Sequence, residues 1–403
     1  MATPVYTMKV NGTLCAVPIS PRLPIGGTLG SLANGPLVIG QRTQHNQQRG
    51  LVTLSRQVAN KADFIMAAGD EVIIYKDGQP WHQGRATDPI EHAGAEGVVH
   101  DYQVTDMWGV LEDTFAYYGA SVTPDFPSLS ADGMAEWWAW SVIQWLGTVG
   151  AGLSGIVAFS AWPGSLVSYP LNRVPVNPGT VADQVRTLLR WYLSAGVRWD
   201  ISGAVPKLQL QGRNDRVFTF AHGTPPLAER SLTAARHLHP DAVHFRFKVA
   251  GDYNTQPTQD MVGVEFTGRG KWPLGSAEHM PGTLTLFSEV NTSTQIYYAP
   301  GQAEFVYDTL TQDVWRGTLL LRASDCDSGI QPGDTINITG ARAEYESMGA
   351  VVQSVTETPA SGETLIQVGA VNFPDGQTIG QKFDDWTTGG AWKKWQFVPW
   401  DAR

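Results

Sequence analysis

Cysteine is nearly absent from this chain of 403 residues: Cys15 and Cys326 are the only two. Disulfide scaffolds and sulfur-ligated zinc sites both need more, so both are excluded. The pair reads as two buried thiols in a reducing compartment. Charge is scarce as well, at 16% of residues, and leans acidic, with a formal net charge of -10. No basic cluster is longer than Lys393–Lys394. The electrostatic face that grips phosphates is therefore missing, and sequence-specific nucleic-acid binding is not expected. The opening MATPVYTMKV has neither a charged n-region nor an apolar h-region, so no secretion signal is expected. The sequons at Asn11, Asn291 and Asn337 accordingly carry no weight.

One long stretch lacks charge altogether. WWAWSVIQWLGTVGAGLSGIVAFSAW, residues 137–162, is long enough for a membrane span. Yet it holds Gly147, Gly150, Gly152, Gly155, Gln144 and several serines. It reads instead as a Trp-rich helix, a Gly-rich turn and a buried strand, and no stable membrane span is expected.

Glycine, proline, valine, threonine and aromatics are plentiful, in short runs between turn signals, which favours strands over long helices. Asn11-Gly12 and Asp77-Gly78 are hairpin signals. One unit occurs twice: RGLVTLSR (Arg49–Arg56) precedes GDEVIIYKDG (Gly69–Gly78), and RGTLLLRA (Arg316–Ala323) precedes GDTINITG (Gly333–Gly340). Each copy reads as an RG strand, a Gly-Asp strand, a return strand, a loop and a closing strand. Two widely spaced copies indicate duplication rather than a solenoid. Between them lies a helical pattern. Ala131–Leu146 reads as a helix capped by Ser130. A second helix is capped by Thr180, with Val181, Val185, Leu188, Leu189 and Tyr192 as its apolar stripe and Gly196 at its C′ position. Strands Val197–Ile201 and Lys207–Gly212 follow, and a further helix is expected over Gln302–Asp313.

The expected fold is mainly β: two related small antiparallel β-barrels, a small α+β domain and an inserted segment. The boundaries are 1–116 for the first barrel and 117–214 for the α+β domain. Residues 215–250 with 300–372 form the second barrel, opened by Asp241–Val249, and 251–299 are its insertion. Residues 373–403 form a tail holding Trp386, Trp392, Trp395 and Trp400.

No motif for catalysis or metal binding is complete in the sequence. GLSG (Gly152–Gly155) has its second glycine one residue too early for a nucleophile elbow. TGRGKW (Thr267–Trp272) puts Trp272 where a phosphate loop needs a hydroxyl. DCDSG (Asp325–Gly329) starts like a calcium loop, but Ile336 stands where the bidentate acid belongs. His237, His239 and His244 read as a surface trio, since Pro240 intervenes and no acidic ligand pattern accompanies them. Glu112–Asp113 and Asp384–Asp385 read as surface charges. No catalytic, cofactor-binding, metal-binding or subunit-interface residue is assigned, and no cofactor is expected. The many tryptophans admit one alternative, a β-rich carbohydrate-binding or carbohydrate-active protein.

The order of these motifs resembles the tail hub (baseplate hub) proteins of tailed bacteriophages, including the phage late control D family. The residues that carry the resemblance are AAGDEVIIYKDGQPWHQGRATD and VVHDYQVTDMWGVLEDTFAYY in the first copy. HLHPDAVHFRFKV, the stretch Ala303–Gly340 and VVQSVTETPASGETLIQVG carry it in the second. It spans about residues 5–370, and the last thirty have no counterpart. The resemblance implies a structural, non-enzymatic homotrimer in the virion, at the tail tip or baseplate, made in the host cytoplasm. It implies as partners a distal tail or tail tube protein, the tape-measure protein, and a central fibre or receptor-binding protein. Three chains of two like barrels would offer six in a ring, matching six-fold symmetry above to three-fold below. An acidic lumen would let DNA pass on ejection without sticking.

Overall fold

Strand alternation governs the first unit. In β6 (Glu71–Lys76), Val72 and Ile74 point inward and are fully buried, while their neighbours are half-buried. A computed structural model describes residues 4–21, 35–59, 62–94, 97–116, 140, 143–144, 152–164, 166, 179–189, 195–234, 315–323 and 329–369, with the backbone of 242–249, 261–268 and 283–288. The expected helices Ala131–Leu146 (apart from isolated positions) and Gln302–Asp313, the histidine trio's side chains, DCDS and the Trp-rich tail lie outside the described residues.

The first unit contains β1 (Tyr6–Val10), β2 (Thr13–Leu14), β3 (Ile19–Ser20), β4 (Leu37–His45), β5 (Gln48–Val58), β6, β7 (Gln79–Ala86), β8 (Ile90–Gly94) and β9 (Gly97–Asp106). Seven of these close a barrel in the order β4-β3-β1-β6-β7-β9-β5, and β5 pairs back onto β4. Its core is drawn from inward positions of each strand, including Met8, Ile39, Val52, Ile74 and Val104. Both hairpin signals form the expected turns. Asn11 and Gly12 have φ of 48° and 77°, and Asp77 and Gly78 have 50° and 79°. Two consecutive positive φ values are what a type I′ turn requires.

Helix α1 (Met107–Asp113) continues directly from β9, capped by Asp106, whose side chain accepts from the Trp108 amide. The α+β unit adds β10 (Phe115–Ala116), β11 (Ala158–Phe159), β12 (Gly179–Thr180), α2 (Val181–Leu189), β13 (Gly196–Asp200) and β14 (Lys207–Gln211). Thr180 caps α2 as expected: its Oγ1 accepts from the Asp183 amide at 3.1 Å, and Asp183 Oδ2 accepts back from the Thr180 amide at 3.3 Å. The buried side chains of α1 (Met107, Trp108 and Leu111) sit in the α+β core with Val185 and Leu188, while Arg49 of β5 ties the same helix to the barrel it leaves. One expectation, that for Gly196, is corrected. Gly196 is not a helix terminus but the first residue of β13, pressed against Gly333.

The second unit contains β15 (Val217–Ala221), β16 (Leu227–Ala234), β20 (Trp315–Arg322), β21 (Thr335–Thr339), α3 (Ala343–Glu346), β22 (Ala350–Thr358) and β23 (Glu363–Val368). Between β16 and β20 come β17 (Ala242–Val249), β18 (Met261–Gly268) and β19 (Thr283–Ser288). The pairing order is β16-β20-β23-β22-β21-β15, with β15 parallel to β21. Here too one expectation is corrected. β17, expected to open the second barrel, pairs with β18 and β19 in a separate three-stranded sheet. The partner of β20 is β16 instead.

The two units share one plan. The first runs β6-β7-β9-β5-β4 and the second β21-β22-β23-β20-β16. Their Gly-Asp turns match bond for bond. Gly69 has φ of +85° and Gly333 has +86°. Asp70 N donates to Ala67 O, and Asp334 N to Gln331 O, both at 3.1 Å, closing four-residue turns with glycine third, the place where type II needs positive φ. Each aspartate then accepts from the first residue of its own turn: Ala67 N at 2.7 Å and Gln331 N at 2.8 Å. Gly69 and Asp70 exchange backbone bonds with Ala86, and Gly333 and Asp334 exchange the same bonds with Val352. Ala86 and Val352 therefore occupy one place. The RG halves match less closely. Val104 faces Ala86 and Val52 faces Val104, whereas Val368 faces Val352 and Gly317 faces Val368. Gly317 thus takes the place of Val52, two residues beyond Gly50. Both glycines are still needed for closeness. A Cβ on Gly50 would lie 2.5 Å from Thr43 O, and one on Gly317 would lie 1.8 Å from Ser231 O.

Candidate functional site

The two barrels are joined strand to strand. β4 pairs with β22, with His45, Gln44, Thr43 and Arg42 opposite Ser354, Val355, Thr356 and Glu357. At the end of that seam Arg42 Nη1 donates to Glu357 Oε2 at 2.9 Å, and both side chains are over nine-tenths buried. The Arg42 guanidinium also lies 4.7 Å over the Trp81 ring. This pair joins residues 315 apart in the chain.

The α+β unit closes the third side. Asn46, in the turn after β4, donates its backbone N–H to Gln353 O at 2.8 Å, and its side-chain Oδ1 accepts from Val197 N at 3.0 Å. Arg49 reaches Glu112 and Asp113 of α1, each at 2.9 Å, and Arg186 of α2 pairs with the same Glu112. The arginine of the first RG motif is therefore a tie between barrel and helix. Asp334 is fully buried and accepts from Gln211 Nε2 at 3.1 Å, binding the second barrel to β14.

Where the three units meet, Arg42, Trp81, His82, Asp106, Trp199, Gln331 and Glu357 are among the residues around a cavity of ≈ 170 Å³. Two buried groups there titrate in opposite senses. Burial, with help from the Arg42 charge, lowers His82 to about 3. Its Nε2 lies 3.1 Å from Val104 O, the contact of a neutral ring donating that proton. Burial raises Asp106 to about 7, against donors from Gly50 and Trp108.

His82 is depressed from 6.5, so its contribution is present above that value and is lost as pH falls toward about 3. Asp106 is raised from 3.8, so its contribution is present below that value and is lost as pH rises through about 7. Between these limits the two slopes oppose each other. His82→Gln removes one of them. The melting temperature of the variant, compared with wild type by calorimetry from pH 4 to 7, is expected to fall further behind as pH rises. A constant difference across that range would show that His82 is not held neutral.

Among the described residues no three His, Cys, Asp or Glu side chains converge as metal ligands, and no helix is long and apolar enough to cross a membrane. Glu112 and Asp113, read from sequence as surface charges, are the acceptors of the Arg49 tie. The six described tryptophans do not offer exposed faces. Trp81, Trp108, Trp140 and Trp315 are buried, and Trp162 and Trp199 pack against the α+β core. The sequence assigned no interface residue. Arg42 and Glu357 carry no local signal, being single charges on alternating strands.

The chain matches no family model and no curated protein. Two solved structures share its architecture over nearly their whole length. One is the 43 kDa tail protein of prophage MuSo2 from Shewanella oneidensis, with a TM-score of 0.55 and 11% identity over 91% of this chain and 98% of that one. The other is the tail protein from Neisseria meningitidis MC58, with a TM-score of 0.55 and 10% identity over 93% of this chain and 99% of that one. At such identities the likeness is one of fold: the chain has the fold of phage tail proteins.

Proposed function

We propose that this chain is the structural hub of a phage tail tip, working as a homotrimer and carrying no enzymatic chemistry. The observation that carries this reading is the duplicated unit: two sheets of one strand order, joined edge to edge within a chain that has a tail-protein fold. Three such chains present six like units around an axis, each turned by about sixty degrees from the next. The ring's six-fold face would seat a distal tail or tail tube protein. The three-fold side, where the α+β unit and the insertion differ freely, would seat a central fibre or receptor-binding protein. The end of the tape-measure protein would sit in the channel. An acidic wall lets DNA slide through on ejection rather than bind. The reading is tested by native mass spectrometry and electron microscopy of the purified chain. The expected result is a three-fold particle with six barrels around one channel. A chain that stays monomeric at high concentration, or barrels that share no axis, would overturn it.

A further inference from the structure

The duplication makes the seam inside one chain a template for the contact between chains. The seam uses β4 of the first unit and the second half of β22. Each has a counterpart in the other unit, and both counterparts are sheet edges.

The counterpart of the second half of β22 is β8. From the shared place of Ala86 and Val352, each chain inserts one extra residue against its partner strand. Ala86 faces Val104 but Ile90 faces Asp101; Val352 faces Val368 but Ser354 faces Gln367. Five residues on, Glu91 faces His100 and Glu357 faces Thr364. Those two partners each lie four residues back from Val104 and Val368. Glu91 therefore occupies the place of Glu357. The counterpart of β4 is β16. Arg42 faces Val52, which faces Val104; Leu232 faces Gly317, which faces Val368. Leu232 therefore occupies the place of Arg42.

Among the described residues β8 pairs only with β9, and β16 only with β20. Every residue of β8 is exposed, Ile90 at 50%. An edge of this kind is a ready template for another strand. We infer that β16 of one copy pairs antiparallel with β8 of the next, repeating between chains the β4–β22 seam that joins the barrels within one. This rests on the hub reading and gives it an interface. Transferring the seam's register places Glu91 opposite Leu232 of the next copy, and Ile90 opposite Thr233.

Charge agrees with this register. Arg230 lies two residues from Leu232 on the same face of β16, diagonal to Glu91, within reach of a long side chain. Its guanidinium lies 4.8 Å over the Tyr345 ring, which leaves the positive charge without a carboxylate among the pairs of the described residues. Glu91, half-exposed and bonded to His100 at 3.1 Å, supplies the opposite charge across the edge. The contact is head-to-tail, so it passes from copy to copy instead of ending at a dimer, and a rotation of one third of a turn per copy closes it as the trimer of the hub reading.

The test is disulfide trapping in the full chain. Ile90→Cys with Thr233→Cys, and His92→Cys with Ser231→Cys one step along, place thiols on exposed positions within bonding reach across the edge. Under mild oxidation both double variants are expected to give covalent species of two and three chain masses, while wild type and each single variant do not. A trimer by native mass spectrometry in which neither pair links would overturn the edge pairing and leave the hub reading standing. Linking in a ring of another size would uphold the pairing and remove the three-fold reading. A chain that never associates removes both.

Discussion

Replacing Glu357 by alanine is expected to cost about 3–5 kcal/mol of unfolding free energy, among the largest effects available to one substitution outside the cores. Arg42 would be left charged and over nine-tenths buried with its acceptor gone. Its Nε has no hydrogen-bond partner even in the intact pair, and the Trp81 face alone does not replace a carboxylate. Desolvation thus becomes uncompensated at the point where the two barrels join. Urea denaturation of the variant checks the figure. Replacing both partners with apolar residues of similar volume, Arg42→Met with Glu357→Leu, should return close to wild type, because neither change then strands a charge. The contrast between single and double variants is what matters. If the single variant lost less than about 1 kcal/mol, as exposed pairs do, the seam would have to be open to water.

That pair also shows where sequence reading stops. Asn11-Gly12 and Asp77-Gly78 were legible because a type I′ turn places a local demand on two adjacent residues. Thr180 was legible for the same reason, as a cap on the helix it begins. Arg42 and Glu357 make no local demand. Their contact depends on one barrel edge meeting another 315 residues away, and nothing near either residue announces it. The same limit explains β17. DAVHFRFKV has the pattern of a buried strand, but pattern does not say which sheet it joins, and its pairing falls to β18 and β19. The repeated RG shows a subtler limit. Both glycines answer one need, a close approach by a carbonyl of the paired neighbouring strand, yet they stand two residues apart in register. Similar letters marked similar packing without marking the same place. The Gly-Asp pairs did mark the same place, because the turn fixes φ at the glycine and the capping bond at the aspartate.

The equivalence of those turns sets up the second large effect. Gly69 and Gly333 share a conformation, with φ of +85° and +86°, but not an environment. A Cβ on Gly69 meets nothing within 4 Å, whereas one on Gly333 would lie 2.5 Å from Gly196 Cα. Gly69→Ala should therefore cost only the left-handed backbone penalty, about 1–2 kcal/mol. Gly333→Ala adds backbone overpacking of roughly 1–3 kcal/mol, for a total of about 2–5 kcal/mol. Gly196→Ala isolates the packing part, since its φ is not positive and its Cβ would lie 2.3 Å from Gly333 Cα. Denaturant midpoints of the three variants should show the Gly69 and Gly196 losses adding up to the Gly333 loss. Equal losses at Gly69 and Gly333 would mean that the α+β unit does not rest on the second turn. The expected inequality has a structural meaning. One turn was duplicated, and only the second copy became the seat of the α+β unit, with Asp334 buried against Gln211 while Asp70 binds Asn11 of its own barrel. In the proposed ring of six like units, the same difference would distinguish alternate positions: the shared turn keeps the two units of a chain alike, and what packs against it makes them unlike.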